Sequence, residues 1–366
     1  MANNPAETLD VEKPTEKGIP HRKSVGIVDR RISVAPMMDW TDRHCRFFLR
    51  GFGQDTLLYT EMITAAAILR GDTARLLAFH PEEHPVALQL GGSDPAELAR
   101  AARIGADLGY DEINLNCGCP SDRVASGSFG ACLMLEPRLV AECVAAMCAA
   151  ISVPVTVKMR IGVISARGRE VAAAVGRYEE EDFERLCGFV AAVQSAGCAV
   201  AIVHARQAVL GGLSPKDNRE VPPLRYEVVR RLRQRFPGLP LVVNGGLRDV
   251  ASVLAALEWA DGVMLGREAY HRPYLLAELQ QALHPHGAPV PSRAELLERM
   301  ARYSQDELAA GGRLSAVTRH MLGLCSGQPG AREYRRVLSE GVRRPGAGPD
   351  LLREALQLAR GGPATV

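Results

Sequence analysis

VALQLGGSDPAELARAARIGADLGYDEINLN, from Val86 to Asn116, decides the fold. A short apolar run, VALQL (86–90), leads into a helical pattern, PAELARAARIGADLG (95–109), and then into a second short run, EINLN (112–116). Strand, helix, strand is the crossover unit of a parallel sheet. The same alternation extends on both sides. ISVAP (32–36) and TLLYTE (56–61) come before; VTVKMR (155–160), VAIVHA (200–205), LVVNGG (241–246) and GVMLG (262–266) come after, with helical patterns such as PRLVAECVAAMCAAI and DFERLCGFVAAVQSAG between them. Eight such strands over roughly 240 residues predict an α/β protein, a closed (β/α)8 TIM barrel. An open doubly wound sheet is the alternative, but no G-x-G-x-x-G follows the first strand.

Flanking segments read differently. Residues 1–30 mix Pro, Lys and Glu without periodicity and predict a flexible tail. The barrel is expected over 31–285. LHPHGAPVPS reads as a linker, and helical patterns at 293–308, 315–324, 331–342 and 351–359 predict a small C-terminal helical domain over 292–360.

With 366 residues, 47% hydrophobic and 23% charged, the chain can bury a large core. It has no run of about 18 apolar residues and no apolar stretch near its start, so a cytoplasmic protein with no membrane partner is expected. Nine cysteines, scattered and odd in number, argue against a disulfide framework. The net charge of +2 makes no bulk case for nucleic acid, yet the segment from Pro291 to Val366 carries twelve arginines, no lysine and eight acids. Arginine forks grip phosphates, which suits an RNA-facing tail; ordinary solvated helix faces would look the same.

A barrel of this class builds its site at the C-terminal ends of its strands. Those ends hold Pro36, Met37 and Met38 after the first strand, Gln89 in the third, Asn116, Cys117 and Cys119 in and after the fourth, and Lys158 and Arg160 in the fifth. His204 ends the sixth, Asn244-Gly245-Gly246 the seventh and Gly266-Arg267 the eighth. Glycines after the last two strands are where this fold holds a phosphate, although each pair could simply make a tight turn. Gln89, Lys158 and His204 are polar groups ending apolar strands. A buried lysine needs an anion or acceptor, which the N1–O2 edge of a flavin supplies and a structural salt bridge would supply equally. Met37 and Met38 suit a flat ring or plain core filling. Cys-x-Cys without a matching Cys/His pair is poor metal spacing, so no metal is expected. Alternation turns Cys117 toward the core and leaves Cys119 on the loop above the mouth, placed as a proton donor or as an inert loop thiol.

These residues sit within a longer series, APMMDWTDRHCR, LLYTEM, HPVALQLGGSDP, YDEINLNCGCPSDRV, FGACLM, VTVKMRIG, VHAR, GLSPKDNREVPPL, DGVMLGREAY and TRHMLGL with GAREYRR. Over residues 31–345 the series resembles the flavin-dependent tRNA-dihydrouridine synthases of the A-type. That resemblance implies an FMN-binding barrel, a C-terminal tRNA-binding domain, and NADPH-dependent reduction of uridine to 5,6-dihydrouridine at U20 and U20a of the tRNA D-loop. It implies hydride delivery from reduced FMN to C6 and a proton from Cys119 to C5. Pro36, Met37, Met38, Gln89, Lys158 and His204 would contact the flavin, and Asn244, Gly245, Gly246, Gly266 and Arg267 its phosphate. Asn116, Lys216, Arg219, Arg332 and Arg335 would contact tRNA, bound by a monomer. Three features depart from the pattern: the cysteine at 117, Gln207 after VHAR, and a longer segment over 163–182. Rival functions are another FMN barrel reducing a small pyrimidine or enone, and a non-catalytic RNA-binding protein.

Overall fold

Asp94 starts the helix of the crossover unit: its carboxylate accepts from Glu97 N at 2.8 Å, and Pro95 takes the first helical position. The helix runs Pro95–Asp107 and buries Leu98, Ala101 and Ala102 against the sheet. A fully buried leucine contributes about 1.5–3 kcal/mol. Gly105 faces the same way, and a Cβ there would stand 2.6 Å from Leu88 Cδ2 and 2.9 Å from Ile113 Cδ1, so helix and strands close to a distance only glycine permits.

A computed structural model describes residues 28–120, 129–165, 170–287 and 289–359, so residues 1–27 of the expected tail lie outside the described residues. In chain order the strands are β1 (Ile32–Val34), β2 (Leu57–Thr64), β3 (Val86–Gly91), β4 (Glu112–Cys117), β5 (Val155–Arg160), β6 (Val163–Ser165), β7 (Ala201–His204), β8 (Ala208–Leu210), β9 (Leu241–Asn244) and β10 (Gly262–Leu265). Eight of them close a parallel barrel in the order β1-β10-β9-β7-β5-β4-β3-β2. All eight expected strands are present.

Strand alternation sorts side chains cleanly between two faces. Ile113, Leu115 and Cys117 of β4, Val155, Val157 and Met159 of β5, and Ala201 and Val203 of β7 join the large cluster under the outer helices. Leu57, Tyr59, Ala87, Val200, Ile202, Val242 and Met264 form a separate cluster inside the barrel.

β6 and β8 form a further two-stranded parallel sheet, with Val163 opposite Ala208 and Ser165 opposite Leu210. Their sequences carry no strand signal of their own, because Val163–Ser165 and Ala208–Leu210 directly follow the longer apolar runs of β5 and β7. Ile164, Val171, Val175 and Val209 make a small apolar cluster around them, which gives the long segment over 163–182 a core of its own. Residues 166–169 of that segment lie outside the described residues.

Beyond the barrel, helices run Arg293–Ala309, Leu314–Thr318, Ala331–Gly341 and Asp350–Ala359. The first starts with a reciprocal cap, Ser292 accepting from Glu295 N and Glu295 accepting from Ser292 N. The second ends six residues short of the expected Leu324. These helices share the large apolar cluster with the barrel's helix Arg43–Arg50. Tyr303 stacks on Phe47 with ring centroids 4.0 Å apart, the Arg299 guanidinium lies 3.8 Å from the Phe47 ring centroid, and His44 Nδ1 lies 2.8 Å from Tyr303 Oη.

Candidate active site

Register sets the first layer of the site. Gln89 of β3 lies beside Asn114 of β4, Asn114 beside Thr156 of β5, and Asn116 beside Lys158. Alternation turns all of these inward, where polar groups need partners. Gln89 Nε2 donates to Asn114 Oδ1 at 2.7 Å, Asn116 Nδ2 donates to Gln89 Oε1 at 2.8 Å, and Asn114 Nδ2 donates to Thr156 Oγ1 at 2.8 Å. Deeper in the barrel Glu112 accepts from Thr156 and Tyr59 and pairs with Arg30. Burial, with the Glu112 charge, pushes the Tyr59 phenol well above its ordinary range, so it stays a donor.

Above this layer Asn116 Oδ1 accepts from Gly118 N at 3.2 Å and Cys119 N at 3.1 Å, holding the loop that carries Cys119. Cys119 O accepts from Ala131 N. Cys119 is half-buried, whereas Cys117 is fully buried on the outer face and burial raises its thiol pKa far up. The strand ends at Cys117, and the turn that follows, held by Asn116 and Arg160, separates the two sulfurs.

Arg160 ties the loop to the other side of the mouth. Its Nε donates to Gly118 O at 3.1 Å and its Nη1 to Asn218 O at 3.0 Å and Gln207 O at 3.3 Å. Burial lowers its pKa to about 10, and the neighbouring Cys119 opposes that fall. Lys158 is lowered to about 7 by burial, with Arg160 adding to the effect. Among the described residues Lys158 Nζ has no hydrogen-bond or ion-pair partner. Burial also holds His204 well below its ordinary value, with Arg160 and Lys158 as the nearest opposing charges, so it is neutral. Arg219 is also a charged neighbour of Cys119, and partial burial of its guanidinium, with Arg267 beside it, lowers its pKa.

On the far side, Gly245 and Gly246 take φ of 108° and 75°, in the left-handed region that favours glycine. A Cβ on Gly245 would lie 2.6 Å from the His204 ring, and one on Gly246 would lie 2.3 Å from Leu224. Asn244 turns its Nδ2 to Met264 O at 2.7 Å, bracing β9 against β10. A Cβ on Gly266 would meet nothing within 4 Å. Arg267 pairs with Glu220 at 2.7 Å, and Arg206 and Arg219 are charged neighbours of this pair.

Pro36 and Met37 are half-buried after β1, while Met38 is 56% exposed. Asp39 takes φ of 64°, a left-handed turn uncommon outside glycine. Met37 O accepts from Trp40 N and Thr41 N, and Arg319 of the C-terminal segment donates to Asp39 O. His320 Nε2 meets Asp42 at 3.0 Å. The C-terminal helices thus dock beside the mouth.

Lys216 and Arg219 lie exposed around the short turn Asp217–Arg219. Arg332 and Arg335 are exposed on the helix Ala331–Gly341 and form no ion pair among the described residues, whereas Arg336, next to Arg335, pairs with Glu333 and Glu340. Arg299, Arg344 and Arg353 are also paired with acids, so the arginine-rich segment divides into tethered and open cations.

The structure adds Arg160, Asn114, Thr156 and Glu112 to the neighbourhood of the site. Arg160 was visible as a strand-end residue; the others had no signal beyond polar residues alternating with apolar ones.

The sequence model described as "Dihydrouridine synthase (Dus)" matches residues 33–360. Among similar proteins, the tRNA-dihydrouridine(20/20a) synthase of Xanthomonas campestris pv. campestris is 56% identical over 327 residues, 89% of this chain and 93% of the relative. That of Synechocystis sp. is 54% identical, covering 89% and 93%, and that of Pseudomonas aeruginosa 52% identical, covering 91% and 96%.

Proposed function

The chain belongs to the dihydrouridine synthase family, and from that premise we propose that it reduces uridine to 5,6-dihydrouridine at positions 20 and 20a of the tRNA D-loop, with FMN as cofactor and NADPH as reductant. The observation that carries this reading is one barrel mouth on which Cys119, Lys158, His204 and the Gly245–Gly246 turn converge.

The residues fit FMN. Lys158 Nζ stands without a partner among the described residues, where the N1–O2 edge of a reduced flavin carries negative charge. Gln89 keeps one N–H beyond its bonds to the two asparagines. Neutral His204 offers one donor and one acceptor. The glycine turns after β9 and β10 and the guanidinium of Arg267 suit a phosphate, which would compete with Glu220 for Arg267. Pro36, Met37 and Met38 would border the ring. Bound there and reduced, FMN would supply the hydride for C6 of the uracil.

Cys119 supplies the proton for C5. Asn116 holds the sulfur-bearing loop by its backbone, Arg160 pins Gly118, and Lys158, Arg160 and Arg219 present positive charge to the sulfur as its proton leaves. The remaining Nδ2 hydrogen of Asn116 faces the base. A uridine must leave its stack to reach this depth, so the rest of the tRNA is gripped from outside, by Lys216 and Arg219 at the rim and by Arg332 and Arg335 on the C-terminal helices. In this division of labour the barrel over 31–285 does the chemistry and the helices over 292–360 hold tRNA. The protein acts as a monomer in the cytoplasm; among the described residues no helix is long and apolar enough to cross a membrane.

The test is anaerobic spectroscopy. Purified protein should be yellow, bleach with NADPH, and recover its colour when unmodified tRNA is added, but not with free uracil. A protein that stays colourless with added FMN, or a bleached one that tRNA does not reoxidise, would overturn the reading.

A further inference from the structure

Six hydrogen bonds inside the barrel and at its mouth run in one direction. The Glu112 carboxylate is fully buried and paired with Arg30, so it can only accept. Thr156 therefore donates to it and keeps a lone pair for Asn114 Nδ2 at 2.8 Å. That turns Asn114 Oδ1 toward Gln89 Nε2 at 2.7 Å, which turns Gln89 Oε1 toward Asn116 Nδ2 at 2.8 Å. Asn116 Oδ1 is then left for Cys119 N at 3.1 Å and Gly118 N at 3.2 Å. Reversing any one amide sets donor against donor and acceptor against acceptor at its two ends, and in a dry interior each such mismatch is costly. The acceptor at the bottom of the barrel and the loop N–H groups at the top thus require the same polarity of every amide between them.

We infer that Asn114 is a positioning residue for the Cys119 loop: acting through Gln89 and Asn116, it fixes the amide direction that gives the Cys119 N–H its acceptor. Asn114 is fully buried, and among the described residues its side chain bonds Gln89 and Thr156 and makes no hydrogen bond to the loop. The catalytic consequence rests on Cys119 being the proton donor. The structural consequence does not, and this separates the two in experiment.

The variant is Asn114→Leu, branched at the same position and without hydrogen-bonding groups. In flavin-free protein, alkylation of Cys119 by iodoacetamide, followed by peptide mass mapping, should accelerate roughly tenfold, the scale of one lost buried hydrogen bond. Cys148, a half-buried thiol at the end of the outer helix Pro137–Ala150, should react as before. In the flavin-loaded enzyme kcat should fall roughly tenfold while KM for tRNA stays within about twofold. Thr156→Val cuts the chain one link lower and should shift both readouts the same way by less; Thr156→Ser, which keeps the hydroxyl, should restore them. Unchanged Cys119 alkylation in folded Asn114→Leu protein, or equal acceleration at Cys148, would overturn the inference. Faster Cys119 alkylation in a chain whose wild type makes no dihydrouridine would uphold the positioning and overturn only the proposed reaction. If Asn114→Leu does not fold, the Thr156 pair decides by the same criteria.

Discussion

Two arcs of the barrel interior are built on opposite principles. Along β7, β9, β10 and β1, Val200, Ile202, Val242, Met264 and Ala35 fill the space with apolar volume. Along β3, β4 and β5, at the same depth, Gln89, Glu112, Asn114, Asn116 and Thr156 fill it with hydrogen-bonded polar groups. Apolar contacts are non-directional and tolerate exchange of similar volumes. Hydrogen bonds are directional, and a lost partner strands the group left behind. The apolar arc therefore secures the fold, and the polar arc secures where Cys119 and Lys158 stand.

The sharpest contrast lies at the end of the polar arc. Cys119→Ala should lower dihydrouridine formation by roughly 10²–10⁴-fold, the usual worth of a positioned acid, with flavin and tRNA binding retained. Cys117→Ala, two residues away on the outer face, should keep its turnover, read as dihydrouridine per enzyme per minute. Equal losses in both would erase the distinction between the faces.

Val242→Ala, in the apolar arc, should cost about 1–3 kcal/mol in urea unfolding and leave kcat of the loaded enzyme unchanged. A lower kcat without a loss of stability would show that this arc also sets the site.

Lys158 differs from its surroundings in carrying a penalty that depends on pH. The unfolded chain holds its proton up to about 10.5, whereas burial and Arg160 lower the folded value to about 7. Unfolded chains bind the extra proton between those values, so the penalty is full below pH 7 and fades as pH rises toward 10.5. Flavin-free Lys158→Met should melt above wild type at pH 6 and lose that advantage by pH 10.5. A constant difference in Tm across that window would contradict the burial of the charge.

The smallest effect belongs to the C-terminal helices. Arg332→Ala with Arg335→Ala should raise KM for tRNA with Tm unmoved, while Arg336→Ala, whose charge is already paired with acids, should raise it less. Unchanged tRNA affinity in the double variant would remove these arginines from the interface.

Much of this was legible in the sequence, and what was not follows a rule. Strand and helix alternation exposed all eight barrel strands, because apolar runs and periodicity are local properties. The outward face of Cys117 followed from the same two-residue period, and Cys119 parts from it because β4 ends at Cys117 and the chain bends into the loop. The Gln89–Asn114–Thr156 contact could not be read, since it depends on which residues of separate strands stand side by side. Arg267 illustrates the same gap: its acidic partner, Glu220, lies forty-seven residues away and decides whether the charge is open, whereas the partners of Arg336, Glu333 and Glu340, stand at helical spacing on one face and are local. Asn244, expected at a phosphate, also spends its amide on the β10 backbone, a use no motif reveals.

The most direct test of the whole account is to incubate purified protein with FMN, NADPH and unmodified tRNA and to locate dihydrouridine by mass spectrometry of nuclease fragments. Dihydrouridine is expected at positions 20 and 20a with wild type and about a hundredth of that or less with Cys119→Ala. Unreduced tRNA with the flavin-loaded wild type, or equal product from both proteins, would contradict it.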